Sequence, residues 1–370
     1  MPVEGPHSEP GRDARRRLII VLPNLRVGGT ERVMLHVANA LSLQADVTLA
    51  LVRPQGELLE RLAPGVRVVP LGGSIAWPFR FLRMVWRERP HAVLGAMVDI
   101  NIALQALRWL MPKSLRLVIR ESSSPSAWLV YWRYPRITEF LYRITHRMAD
   151  RIVVLTRAME DEMKSMIGAN GPRIDIIPNA VANDRLDANA AGPSFAKPYL
   201  IAVGRLVGEK GYDLLIQAFG HIAAQFPSHR LFIVGDGIER RRLEVLVERL
   251  GLSGRIELAG HMDDPLPAVR AAELFILSSR VEGMSNALLE ALCVGTPVLA
   301  VAERTGADEI ITDGENGFLV QRCERDMLAG GLVRALREAN RLDRETIASH
   351  ARSRYGMSAM IEAYQQALFG

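Results

Sequence analysis

From Leu18 onward, short apolar runs alternate with longer segments whose apolar residues recur at helical spacing. LIIVLPNL, DVTLALV, VRVVPL, HAVLGAM, LRLVIRE and DRIVVLT read as strands, and TERVMLHVANALS and NIALQALRWL as helices between them. A stretch from Ala182 to Pro198, rich in Ala, Asn, Asp, Gly and Pro, interrupts this rhythm, which then resumes. YLIAVG, HRLFIVG, RIELAG, ELFILSS, PVLAVA and GFLV are the later strands; GYDLLIQAFGHIAAQF, ERRRLEVLVERLG and NALLEALCV are helical. Strand and helix in alternation predict an α/β fold with parallel sheets covered by helices, here two doubly wound domains facing a cleft. The expected divisions are a disordered leader over 1–17, an N-terminal domain over 18–182 and a linker over 183–197. A C-terminal domain over 198–352 follows, then a helix over 353–370 packing back on the first domain.

Composition narrows the class. Of 370 residues, 49% are hydrophobic and 24% charged, an ordinary globular balance that leaves no case for global disorder. Cys293 and Cys323 stand alone, with no CxxC, and the eight histidines lack ligand spacing, so neither a disulfide framework nor a metal site is indicated. A reducing compartment fits. Arg15 to Arg17 before LIIVL resemble the start of a signal peptide, but the apolar run stops at Pro23 and Asn24. Nowhere is an apolar run long enough to span a bilayer. Charge is uneven: residues 1–185 carry 26 Lys and Arg against 17 Asp and Glu, and the remainder 20 against 24. The basic half suggests an anionic partner, membrane lipid or nucleic acid.

Three segments carry candidate chemistry. In VGRLVGEKGYDLLIQAF a strand ends at Gly204, and Arg205 and Lys210 flank a loop that enters a helix after Gly211. Two cations beside a helix N-terminus suit a diphosphate; solvated loop charges are the other reading. In FIVGDGIERRRLEVL, Gly235 and Gly237 permit close backbone approach and Asp236 can hold the turn, which makes the three candidate donor-binding residues, though steric needs alone also produce the pattern. SRVEGMSNALLEALCVGTPVLAVA is more specific. Ser285 or Asn286 can cap a helix running to Val294, Gly283 lets the chain pass close to a ligand, and Gly295 ends the helix. Glu282 before the helix and Glu290 one turn in can reach different hydroxyls of one ligand while helix N–H groups meet its phosphates. A capped buried helix with incidental acids would leave Glu290 in an apolar run needing a partner.

GGTER, GRLVGEKGYDLLI, GDG, EGMSNALLEALCVGTPVLA with its E-x7-E spacing, TGADEII and DGENGFLV occur in the order found in retaining GT-B glycosyltransferases of family 4. The resemblance covers nearly everything after the leader and points to bacterial enzymes that build surface polysaccharides or lipid-linked oligosaccharides. It implies a GT-B fold of two Rossmann-like domains and transfer of a hexosyl or N-acetylhexosaminyl group from a nucleoside-diphosphate sugar, UDP favoured over GDP. No cofactor or metal is implied, and the chain has no DxD triplet, Asp263 and Asp264 being adjacent. By resemblance, Arg205 and Lys210 hold the diphosphate and stabilise it as a leaving group, and Glu282 binds sugar hydroxyls. Gly28 and Gly29 face the cleft near the donor phosphates and acceptor. Gly283, Met284, Ser285, Asn286, Ala287 and Leu288 line sugar and phosphate, and Glu290 meets the ribose. The chain departs in EGMS, where EPFG or EGFG is frequent, and in TGADE, where Thr305 replaces a glycine.

The N-terminal half is expected to take a lipid-linked or saccharide acceptor. Asp99, Asn101, Arg120 and Glu121 follow strand ends, where acceptor-contacting groups would lie, ordinary loop stabilisation being the other reading. WPFRFLRMVWRERP and WLVYWRYPRITEFLYRITHRM interleave rings with arginines, which suits an anionic membrane surface as well as a core stripe with a basic face. Peripheral attachment to the inner face of the cell membrane, in the cytoplasm, is the expectation. A sugar-nucleotide epimerase is the alternative activity. A dehydrogenase is disfavoured because no G-x-G-x-x-G follows the first strand. Nucleic acid is not expected, since the aromatic residues sit in helical segments.

Overall fold

The computed structural model describes residues 15–73, 75–124, 135–168, 170–182, 186 and 195–370. Most of the expected leader, most of the expected linker and the WLVYWRY part of the second aromatic segment lie outside the described residues.

The first sheet contains β1 (Arg16–Leu22), β2 (Ala45–Leu51), β3 (Val66–Pro70), β4 (Ala92–Gly95), β5 (Arg116–Arg120), β6 (Arg151–Val154) and β7 (Arg173–Ile176), ordered 3-2-1-4-5-6-7. The second contains β8 (Tyr199–Val203), β9 (Arg230–Val234), β10 (Ile256–Gly260), β11 (Leu274–Leu277), β12 (Val298–Val301) and β13 (Gly317–Val320), ordered 10-9-8-11-12-13. Every pairing between these strands is parallel. The apolar runs form strands because helices cover both sheet faces: Leu18, Ile20 and Leu22 pack on one side of β1, Ile19 and Val21 on the other, and all are buried. Each such side chain contributes roughly 1.5–3 kcal/mol on burial. Strand order reverses between β1 and β4 and between β8 and β11, so each sheet opens a crevice at the carboxyl ends of those strands.

The helix Trp77–Glu88 starts at a proline, Pro78, and stops where Arg89 turns left-handed at φ 45° before Pro90. Its inner face buries Phe81, Met84 and Val85, while Phe79, Arg83, Trp86 and Arg87 lie exposed at helical spacing on the other.

The chain crosses between the sheets twice, side by side. After β7 it passes Val181, whose amide donates to the Tyr355 carbonyl at 3.1 Å. Near the end it returns past Gly356, which bridges to Val181, into the helix Met357–Phe369. That helix buries Met360, Tyr364, Ala367 and Leu368 in the core around β1. Arg16 and Arg116 donate to the Phe369 and Gly370 carbonyls at 2.6 Å each.

Candidate active site

The crevice of the second sheet is built by the loops after β8 and β11. After β8 the chain makes a short turn, Gly208–Lys210, then a left-handed Gly211 at φ 65° before the helix Tyr212–Ile222. A Cβ at Gly211 would lie 2.1 Å from the Ser278 carbonyl oxygen, so no larger residue fits. The turn is clamped from the β11 side. Ser278 Oγ donates to the Lys210 carbonyl at 2.8 Å and the Arg280 amide to the Glu209 carbonyl at 2.7 Å. The Arg280 guanidinium donates to the Gly208 carbonyl at 2.7 Å and to both Asp213 carboxylate oxygens at 2.9 Å. Burial alone would raise the Asp213 carboxyl, but this forked pairing overrides it and holds the group below its usual range.

Lys210 Nζ pairs with Glu282 Oε1, which also accepts from Ser279 Oγ at 3.1 Å. Arg205 is exposed and carries no ion pair among the described residues. The GDG turn supports this loop from behind. A Cβ at Gly235, φ 137°, would lie 2.0 Å from the Gly204 carbonyl oxygen, and one at Gly237 2.4 Å from that of Leu206. Asp236 accepts from the Gly237 amide at 2.7 Å and pairs with Arg240 at 3.0 Å, which pulls its carboxyl below the usual range. Its observed role is to lock the turn.

The helix after β11 spans Asn286–Cys293, with Ser285 as its cap: extended at φ −79°, it accepts from the Leu288 amide at 3.4 Å. The Asn286 and Ala287 N–H groups have no acceptor among the described residues, so the start of this helix keeps its partial positive charge. Glu290 is half-buried one turn in, and Gly295 ends the unit at φ 77°. Met284 is buried rather than presented to a ligand. Gly283 is close to protein: a Cβ there would lie 2.1 Å from the Ser122 carbonyl oxygen of the N-terminal half. The close approach expected at this glycine is therefore between the two halves.

Several links tie the halves together. Asn286 Nδ2 donates to the Gly29 carbonyl at 3.2 Å, and Asn286 Oδ1 accepts from Asn179 Nδ2 at 2.7 Å. The Glu309 carboxylate of TGADE accepts from the Arg157 and Ala158 amides at 2.9 Å each, capping the helix Arg157–Ile167 of the other half. Thr305, where the family has a glycine, is buried and accepts from the Ala307 amide at 3.2 Å. Beside Glu282 and Gly283 a cavity of about 580 Å³ opens between the halves, lined also by Ser124, Thr156, Arg304 and Asp308.

On the N-terminal side, Gly28 is extended and a Cβ on it would lie 2.2 Å from Glu31 Oε2. Glu31 was not singled out in the sequence, though it stands in GGTER. Burial lifts its carboxyl above the usual range against the pull of its own backbone N–H and the Arg205 and Arg120 charges. Asp99 is exposed in the first turn of the helix Val98–Ala106.

The expected acceptor contacts of Asn101, Arg120 and Glu121 are corrected by burial, since each is at most 1% exposed. Asn101 Nδ2 donates to the Arg120 carbonyl at 2.9 Å and to Glu121 Oε1 at 2.8 Å, and that oxygen lies 3.1 Å from His146 Nε2. The Tyr142 ring stacks on His146 at 3.4 Å, and burial, then the Glu121 charge, hold its phenol well above the usual range. These groups form an internal polar network rather than a ligand surface.

Comparison with known proteins bears on the family and the fold. The family described as glycosyl transferases group 1 matches residues 187–354, and the glycosyl transferase 4-like domain matches residues 28–180. The lipopolysaccharide core biosynthesis glycosyltransferase LpsE of Rhizobium meliloti is 28% identical over 352 residues, covering 92% of this chain and 96% of that protein. A Campylobacter jejuni 4-alpha-N-acetylgalactosaminyltransferase, named for a diphospho-undecaprenol-linked acceptor, is 26% identical over 87% of this chain and 91% of its own. Among solved structures, sucrose-phosphate synthase from Thermosynechococcus elongatus superposes with a TM-score of 0.80 at 18% identity, over 95% of this chain and 98% of that one. Anabaena HepE in complex with UDP-glucose gives 0.78 at 19% identity, over 95% and 99%. Two facing parallel-sheet units and both matched domains place the chain among the GT-B glycosyltransferases, in the group that joins a family 4-like N-terminal domain to a group 1 C-terminal domain.

Proposed function

We propose that the protein transfers a hexosyl or N-acetylhexosaminyl group from a UDP-sugar to a lipid-linked or saccharide acceptor, with retention of configuration and without a metal. The observation that carries this is the pairing of Lys210 with Glu282, which shortly precedes the helix Asn286–Cys293 whose first two N–H groups have no acceptor among the described residues. A departing nucleoside diphosphate gains negative charge as the glycosidic bond breaks. Lys210, Arg205 and the helix N–H groups are fixed donors at that charge, which is the work a bound metal does elsewhere. Glu282 then meets sugar hydroxyls and Glu290 the ribose. No side-chain nucleophile is assigned: the acceptor attacks from the face the phosphate leaves, and the leaving phosphate takes its proton.

The 580 Å³ cavity beside Glu282 is where the acceptor's hydroxyl-bearing end enters in this reading. It replaces the buried Asn101, Arg120 and Glu121 as the acceptor side. The names of the Rhizobium and Campylobacter relatives and the UDP-glucose bound to HepE support the choice of lipid-linked saccharide and UDP-sugar. Peripheral contact with an anionic membrane is part of the proposal. Phe79 is 72% exposed, Trp86 56% and Trp109 79%, with Arg83 and Arg87 beside them. Among the described residues no helix is long and apolar enough to cross a membrane.

UDP binding tests the donor assignment. At a hundredfold excess over Kd, UDP stabilises the protein by about 2.7 kcal/mol, visible as a raised Tm. GDP shifting Tm as much as UDP would contradict the preference, and no shift with either would contradict the site.

A further inference from the structure

We infer that Arg120, Asn179, Asn286 and the Gly29 carbonyl form a one-way hydrogen-bond relay that sets the two halves in the donor-binding arrangement, with Asn179 as its positioning residue. Asn179 lies on the first crossover, is 5% exposed, and touches both halves. Its Oδ1 accepts from the Arg120 guanidinium at 2.7 Å. Its Nδ2 donates to Asn286 Oδ1 at 2.7 Å and to the Met284 carbonyl at 3.4 Å. Asn286 Nδ2 in turn donates to the Gly29 carbonyl at 3.2 Å.

Both ends fix the direction. A guanidinium only donates and a carbonyl only accepts, so neither amide can turn over without setting two donors or two acceptors face to face. The relay starts on β5, passes through the crossover, crosses the second half at the first residue of its donor-facing helix, and ends at the first residue of the helix Gly29–Leu41 that follows β1. Gly29 is thereby held against the helix whose free N–H groups await the phosphate. Aspartate at 179 has nearly the shape of asparagine and still accepts from Arg120, yet it has no N–H for Asn286. If Asn286 flips to serve it, two oxygens meet at Gly29.

The test rests on the proposed function for one of its two readouts. In the full chain, Asn179→Asp and Asn179→Ala should both enlarge the radius of gyration of the unliganded protein by small-angle scattering, with the parent value returning under saturating UDP. Both should raise the donor KM roughly tenfold, the scale of a buried hydrogen bond lost with its partner, while kcat at saturating donor stays within about threefold. A lowered Tm with unchanged radius and unchanged KM would overturn the relay, as would an Asn179→Asp protein matching the parent. If the Asn179 variants do not fold, Asn286→Ala must show the same expansion, and an unexpanded Asn286→Ala protein overturns the proposal. If the parent neither binds UDP nor transfers sugar, the functional reading fails, and the scattering comparison without ligand still decides the relay.

Discussion

Lys210 Nζ and Glu282 Oε1 form an ion pair although 72 residues separate them in sequence. They are joined because β8 and β11 are neighbours at the point where strand order reverses, which brings the ends of both loops to one crevice. The pair balances two charges at this crevice, and under the proposed function a donor diphosphate competes with Glu282 for the ammonium.

Two substitutions therefore separate binding from turnover. Lys210→Ala should lower turnover by 10²- to 10³-fold, about 2.7–4 kcal/mol, the scale for removing one preorganised donor from a developing anion. It should also weaken UDP binding. Glu282→Gln should lower turnover comparably while UDP binds as well as before or more tightly, because Lys210 is released from its partner. Titration calorimetry with UDP and initial rates with a UDP-sugar check both; a near-normal rate in either variant contradicts the assignment.

The Asp213–Arg280 fork holds the turn that presents Lys210, and it gives stability a pH dependence. The Asp213 carboxyl is lowered in the fold relative to the unfolded chain, so its contribution is complete above the ordinary aspartate value and disappears as pH falls through the folded value. Asp213→Asn should cost about 1 kcal/mol at pH 7, modest because the Arg280 side chain is 34% exposed and Asp213 22%. Urea unfolding of both proteins across acidic pH should show the difference shrinking toward zero. A difference that grows on acidification would contradict the sign.

The local geometry of the unit after β11 was legible in the sequence because its determinants are short-range. Ser285 caps the helix it precedes and Gly295 ends it in the left-handed region, both consequences of short-range backbone geometry. The alternation of apolar runs gave both parallel sheets for the same reason. Contacts between distant segments were not legible. Arg120 follows the pattern of a strand end opening on solvent, but the crossover and the C-terminal helix close over it: Asn179 accepts its hydrogen bond and Tyr364 feels its charge. Gly283 read as a ligand contact because nothing in its own neighbourhood announces Ser122.

The exposed face of the helix Trp77–Glu88 makes a third prediction. Arg80 donates to the Leu71 carbonyl at 3.0 Å and serves the fold, whereas Arg87 pairs with its sequence neighbour Glu88 at 3.1 Å, so Arg83 and Arg87 are the better probes. Replacing Arg83 and Arg87 with glutamine should weaken sedimentation with anionic vesicles about thirtyfold, at about 1 kcal/mol for each charge removed. Adding Phe79→Ser should reduce binding to neutral vesicles as well. Unchanged sedimentation in the triple variant would contradict membrane contact through this face.

The most direct measurement is transfer itself. The protein is incubated with UDP-hexoses and UDP-N-acetylhexosamines and a lipid-linked diphospho-saccharide, with UDP release and product anomeric configuration followed by NMR. The account predicts one UDP released per glycosidic bond formed, the donor's configuration kept in the product, and loss of both signals in Lys210→Ala. Epimerised donor in the absence of acceptor, or inverted product, or full transfer by Lys210→Ala, would contradict it.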